Sequence, residues 1–365
     1  INTSVANIPI LYIKPDINIG TASKPVNNTL ALYNVAGYAH LAGNIETYGN
    51  YSHGVYNSKA TETFSGTEYN LGAKLDNTVD GVAKSISIIT HGDNSAVLYN
   101  EESAVNFLEG GTYKALGVNG VVLYNKGGSI NITGNALFEA GNKGTLIVAD
   151  GGKINLNGNM TYNVRNNSIF AYTSTVPGIK VNFAVTGTDK HTLNLESGGI
   201  GFVYDGNSTN IQQSSLYDYL NNNFLGLNNL NINIADDARL FLLNNYGTAN
   251  LSDLQSLDMG GSLFGSVTGS GENLLLNKGT LILDSPGIID LDDPNDFYTD
   301  IDKAATGITV NSGVTISGTQ SGQMALSGKD IYRGTPGGTA YVIMNNNGSI
   351  ELSGDNSLGI YTNNG

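Results

Sequence analysis

Gly120-Val-Val-Leu-Tyr-Asn-Lys-Gly-Gly-Ser-Ile-Asn-Ile-Thr-Gly-Asn135 is the stretch of this chain that decides its fold. Two apolar runs, one ending at Tyr124 and one formed by Ile130 and Ile132, flank Asn125-Lys-Gly-Gly128. That cluster tolerates the positive φ of a tight bend. Ile130 and Ile132 alternate with polar neighbours, as in a half-buried strand.

Working outward, four segments align with one another: Ser95-Ala-Val-Leu-Tyr99-Asn100, Gly120-Val-Val-Leu-Tyr124-Asn125, Gly144-Thr-Leu-Ile-Val148-Ala149 and Ser168-Ile-Phe-Ala-Tyr172-Thr173. Their starts lie 25, 24 and 24 residues apart. A second apolar pair keeps this step as Val105/Phe107, Ile130/Ile132, Ile154/Leu156 and Ile179/Val181, and a third position follows as Tyr113, Phe138 and Tyr162. One period therefore holds three short strands separated by Gly, Asn, Asp and Ser. The expected fold is all-β: a right-handed parallel β-helix with three-strand coils of about 24–25 residues. A leucine-rich repeat would need a Leu-x-x-Leu-x-Leu frame and a left-handed helix a hexapeptide rhythm, and neither is found.

The motif returns upstream as Thr29-Leu-Ala-Leu-Tyr33-Asn34 and Gly54-Val-Tyr56-Asn57. Downstream it returns as Arg239-Leu-Phe-Leu-Leu243-Asn244, Gly279-Thr-Leu-Ile-Leu283-Asp284 and Thr339-Ala-Tyr-Val-Ile343-Met344. Residues 1–365 thus read as one elongated body, most regular over 93–204. Roughly a dozen coils at ~4.8 Å each give a rod about 60 Å long, with apolar columns in its bore and Asn or Ser columns forming amide ladders at its bends. The last residues, Leu358 to Gly365, open a further copy of the motif, so the chain is read as a piece of something longer.

Two stretches break the rhythm. Residues 205–262 are expected to project as an insertion with short helices, one through Ile211–Leu220 capped by Ser208 or Asn210, the other through Ser252–Asp258. Tyr217, Tyr219 and Phe224 are its candidate contact residues, because aromatics with a polar tip suit interfaces; the alternative is a lid over a coil edge. Residues 284–302 form the most acidic stretch, read as a loop insertion with Asp290, Asp292, Asp293, Asp296 and Asp300 as candidate binding residues. Carboxylates there suit a hard cation, but the central Gly and terminal Glu of an EF-hand loop are missing, so the stretch reads as a solvated loop that draws a cationic partner.

Composition narrows the function classes. Charged residues make up 13%, against about 25% in typical soluble domains, while 48 Gly mark a turn-rich chain. Hydrophobic residues at 40%, with 20 Tyr, are enough to fold. A net charge of −14 with 17 Lys+Arg speaks against nucleic acid and anionic membranes. No apolar run approaches the ~20 residues that span a bilayer, so no membrane insertion by this stretch is expected. Cys is absent, which removes disulfides, thiolate metal sites and a cysteine nucleophile, and suits a chain that crosses an envelope unfolded.

Enzyme signatures are weak. His40, His53, His91 and His191 lack metalloprotease spacing, and there is no phosphate-cradling Gly-x-x-x-x-Gly-Lys loop. Gly92-Asp93-Asn94-Ser95 recurs as Gly354-Asp355-Asn356-Ser357 at the same place in the repeat, which fits turn chemistry rather than a serine nucleophile. Arg occurs only at Arg165, Arg239 and Arg333, leaving little to bind an acidic polysaccharide. No catalytic residue, metal ligand or cofactor is expected.

The units 120–135 and 346–361 resemble the repeats in passenger domains of large type V autotransporter adhesins, especially those of oral Gram-negative anaerobes. The resemblance implies a secreted passenger on the bacterial cell surface, held by an outer-membrane barrel outside this sequence. It implies attachment to a host-cell receptor or glycan, to a surface protein of other bacteria, or to copies of itself, in coaggregation, biofilm and virulence. It carries over no functional residue. The protease passengers of the wider family have a Gly-Asp-Ser-Gly motif that this chain lacks. Two other readings stand beside the adhesin: a carbohydrate-active β-helix enzyme, and a passive spacer displaying a distal binding domain.

Overall fold

A computed structural model describes residues 10–173, 178–205, 216–252, 263–269, 272–293, 301–302, 307–329 and 343–363. Each repeat winds through three strands and lands on the next repeat in register, so the molecule is a parallel β-helix. The repeat motif supplies the first strand. A bend follows at residues that accept positive φ, such as Glu102 (45°), Gly127 (77°) and Gly128 (74°). Ala96–Phe107 and Val121–Thr133 run continuously through this bend from the first face to the second. The first two faces form one 18-stranded sheet and the third a nine-stranded sheet. The third face resumes further along as Gly287–Asp290, Val314–Gly318 and Ser349–Leu352. Apart from two hairpins and an isolated bridge, every pairing among the described residues is parallel.

Register turns the repeat into a core. Leu32, Val55, Leu98, Leu123, Ile147, Ala171, Phe202 and Phe241 lie in one line down the first face. Tyr113, Phe138 and Tyr162 stack inside the third face at 5.2 Å between centroids, with planes within 19°. All are buried, and each large side chain so buried contributes roughly 1.5–3 kcal/mol. At the first bend the expected amide ladder is present. Asn34 Nδ2 donates to Asn57 Oδ1, Asn57 Nδ2 to Asn100 Oδ1 and Asn100 Nδ2 to Asn125 Oδ1, each at 2.8 Å and each buried. The Asn94 turn is also as expected: Asn94 has φ 55°, Asp93 Oδ1 accepts the Val118 N–H and Ser95 Oγ accepts the Ser52 N–H.

Glycine at the bends serves close stacking of backbones. A Cβ on Gly152 would sit 2.4 Å from the Gly128 carbonyl oxygen, at a φ of 65°. The coil below leaves no room there for a side chain.

The structure corrects the sequence reading in four places, one being that Thr280–Leu283 and Ile343–Met344, read as copies of the first-strand motif, pair along the second face instead. The fourth member of the second apolar pair is Val181/Phe183, which lie beside Ile154 and Leu156, rather than Ile179/Val181. The chain lengthens between the strands Ile169–Thr173 and Val181–Ala184, which shifts the register by two. Residues 205–262 are not one projecting insertion, because Phe224–Leu225, Leu230–Ile234 and Arg239–Asn250 are coil strands in register with their neighbours. The helix α1 spans Leu216–Asn223 and so ends three residues past the expected Leu220; residues 206–215 and 253–262, with the expected caps and the second expected helix, lie outside the described residues. The acidic stretch is partly coil as well, since Gly287–Asp290 pairs with Val314–Gly318. The matched step grows from 24 residues (Asn131 to Asn155) to 39 (Asn194 to Asn233), and the excess emerges between strands. Among the described residues no helix is long and apolar enough to cross a membrane.

Candidate binding surfaces

A filled bore leaves only outer walls and projections for contact. The outward residue of the first-face motif is tyrosine on four successive coils: Tyr33, Tyr56, Tyr99 and Tyr124. Parallel register brings the rings together, Tyr56 on Tyr99 at 4.6 Å and Tyr99 on Tyr124 at 4.8 Å. Stacked rings cover one another's faces, so the ladder shows edges and hydroxyls outward. Tyr33 is tilted by 59° and is 64% exposed. Charge borders the column. Tyr56 donates to Glu101 at 2.8 Å and Lys126 to the same carboxylate at 2.9 Å, which holds Glu101 below the usual carboxylate range, Lys126 being the larger cause. Burial, then the Glu101 contact, pushes the Tyr56 phenol up.

Two further clusters lie nearby. On the second face Tyr12 stacks on His40 at 4.7 Å, and Tyr38 packs against the same ring at 4.4 Å. Asp76 accepts from Tyr38 Oη at 2.7 Å and lies 2.7 Å from His40 Nδ1; the Asp76 contact pushes the Tyr38 phenol up to about 12. Beside the third face Tyr48 stacks on His91 at 4.1 Å, and both reach Glu46 Oε1 at 2.8 Å. The Tyr48 hydroxyl, followed by His91, keeps the Glu46 carboxyl below its ordinary range.

The sequence reading missed a projection. The 43-residue step from Asn57 to Asn100 contains the hairpin Ala60–Phe64 with Thr67–Leu71, where Glu62 faces Tyr69. Ser65 and Gly66 turn it with φ of 50° and 78°, the signature of a tight primed turn. Tyr69 and Leu71 are both 48% exposed. A smaller hairpin, Thr78–Val79 with Val82–Ala83, turns at Asp80-Gly81, and Lys14 pairs with Asp80 at 2.9 Å. The Asp-Gly pair was a legible turn signal.

The candidates named from sequence fare unevenly. Tyr217 is exposed, and with Asn221, Leu225 and Leu263 it lines a hollow of about 280 Å³ beside α1. Tyr219 and Phe224 are core residues instead, 4% and 3% exposed. Tyr219 Oη accepts from Thr173 Oγ1 at 3.0 Å and donates to the Val203 carbonyl at 2.8 Å, while Phe224 packs on Phe202 and lines the inner side of the same hollow.

In the acidic stretch, Asp292 accepts from Thr319 N, Thr319 Oγ1, Gln320 N and Gln323 Nε2, so both oxygens are spent on clamping the next coil's turn. The Thr319 hydroxyl leads in keeping that carboxyl low. Asp290 Oδ1 accepts the Asp292 N–H, and Asp293 is exposed. Asp296 and Asp300 lie outside the described residues. Among the described residues no three His, Cys, Asp or Glu group to hold a metal ion. Comparison with known proteins returns no matching family model, no matching curated protein and no matching solved structure.

Proposed function

We propose that this chain is a stalk segment of a bacterial surface adhesin, carried outward as the passenger of an autotransporter and anchored by a barrel outside this sequence. The observation that carries the contact role is the gathering of exposed aromatics on the N-terminal coils: Tyr12 at 54%, Tyr33 at 64%, Tyr51 at 53% and Tyr69 at 48% exposure, beside a hairpin that stands off the rod. The bore beneath is already filled, so these rings are not needed to complete the core. Tyrosine offers a large, stiff, amphipathic contact area at low entropic cost. The partner is a host-cell receptor or glycan, or a surface protein of another bacterium.

The test is adhesion of the purified chain to epithelial cells, partner bacteria and a glycan array. The double variant Tyr33→Ser with Tyr69→Ser, and a variant with residues 61–70 replaced by a short turn, are expected to bind about tenfold more weakly, the loss of a peripheral hot spot. Circular dichroism should stay unchanged. Full binding by both variants would remove Tyr33 and the hairpin as the contact surface. No binding by the parent chain to any target would leave the passive spacer.

A further inference from the structure

We propose that Lys180 and Asn223 become joined by an amide bond between Lys180 Nζ and Asn223 Cγ, formed by the folded chain itself. The observation is a buried amine held on a buried carboxamide at a bend where the regular amide ladder has run out. That ladder ends at Asn125, because Ala149 and Thr173 occupy its register positions on the next two coils. Lys180 and Asn223 directly precede the strands Val181–Ala184 and Phe224–Leu225, whose leading residues pair in register. They are therefore neighbours on adjacent coils at that same bend.

The contact is tight and shielded. The Lys180 backbone N–H donates to the Asn223 carbonyl at 2.8 Å, and Nζ donates to Asn223 Oδ1 at 2.7 Å. The two residues are 3% and 1% exposed. Asn223 Nδ2 donates to the Tyr219 carbonyl at 2.7 Å, which fixes the carboxamide. Phe183 and Phe224 stack nearby at 6.4 Å, and Tyr219 packs on Phe224.

Such an arrangement meets the needs of amide exchange. A lysine amine is a nucleophile once it sheds its proton, and lysine does so readily when buried. Burial holds the Lys180 amine below its ordinary value, against the opposing charge of Asp150. Nζ lies 2.7 Å from Oδ1, the oxygen carried by Cγ, and reacting groups held side by side in one molecule gain effective molarities on the order of 10⁵ M or more. In the step, Nζ bonds to Cγ and the Cγ–Nδ2 bond breaks. Nδ2 leaves with the protons that Lys180 loses, so an ammonium ion and a neutral amide replace a lysine ammonium and a carboxamide. No oxidant, metal or cofactor enters the balance.

Intact mass spectrometry of the purified chain decides the matter. The mass is expected to fall below the sequence mass by one ammonia molecule, and digestion should yield one branched peptide joining residues 180 and 223. Lys180→Met and Asn223→Ala should each restore the full sequence mass, read on denatured protein so that folding does not matter. An unmodified parent mass overturns the proposal. An ammonia loss that persists in Lys180→Met also overturns it, since a succinimide at Asn119-Gly120 would give the same deficit.

Discussion

Tyr113 and Tyr162 occupy the same interior column on either side of Phe138, yet their hydroxyls have opposite fates. Tyr162 Oη lies 2.9 Å from His191 Nδ1, and His191 Nε2 lies 2.9 Å from the Ala184 carbonyl. The carbonyl can only accept, so Nε2 carries the proton and Nδ1 accepts from the tyrosine. Tyr113 Oη is buried with no hydrogen-bond partner among the described residues. An unsatisfied buried hydroxyl costs about 1–3 kcal/mol, whereas a made hydrogen bond contributes about 1. Tyr113→Phe is therefore expected to raise unfolding stability by about 1 kcal/mol, and Tyr162→Phe to lower it by about 1–3 because it strands His191. Urea denaturation of the two variants measures both; a loss of stability in Tyr113→Phe would contradict the assignment.

At the scale of elements, the amide ladder is the most exacting device. Asn100 accepts from Asn57 and donates to Asn125, and it also donates to the Ser103 carbonyl at 2.9 Å. Asn100→Ala would orphan a donor above and an acceptor below, at an expected cost of about 2–4 kcal/mol. Asn34→Ala, at the end of the ladder, would break one rung rather than two, besides losing the donation to the Lys74 carbonyl at 2.9 Å, and should cost less; equal midpoints in guanidinium would show that the rungs do not depend on one another.

The strands that share this ladder were legible because each coil repeats the same inward and outward residues, at steps of 23 and 25 residues where no hairpin intervenes. Legibility failed where length, rather than pattern, carried the information. Ile179/Val181 imitates the pair that Val181/Phe183 actually forms, and only the added length before it reveals the shift. The hairpin Ala60–Leu71 alternates like any strand, so its sequence does not say that its partner is itself. In α1, Leu216 and Leu220 follow a helical period that carries on to Phe224, the first residue of the next strand, and Tyr219 stands three residues after Leu216 on the same side. All four are buried, so the spacing that suggested the helix also marks Phe224 as core rather than contact.

For the whole molecule, stability is a sum of coil-to-coil terms, and histidine makes part of that sum depend on pH. His53 Nδ1 accepts the Ala96 N–H, and His191 accepts from Tyr162, so both must stay neutral in the folded rod. Burial lowers both proton affinities. The unfolded chain protonates its histidines near pH 6.5. Stability is thus complete above about that value and falls as pH drops towards the depressed folded values, then levels. Denaturant midpoints at pH 7.5 and 5.5 should show the decrease; a higher midpoint at the lower pH would refute it.

The ladder has one last consequence, because every one of its amides hands its hydrogen the same way along the rod. Such a wire has a donor end and an acceptor end, and the coils that carry it are arrows rather than interchangeable rings. Because the wire stops at Asn125, sealed inside the rod by the coil of Ala149, it can be lengthened only beyond Asn34, and only by a group that brings a hydrogen to give.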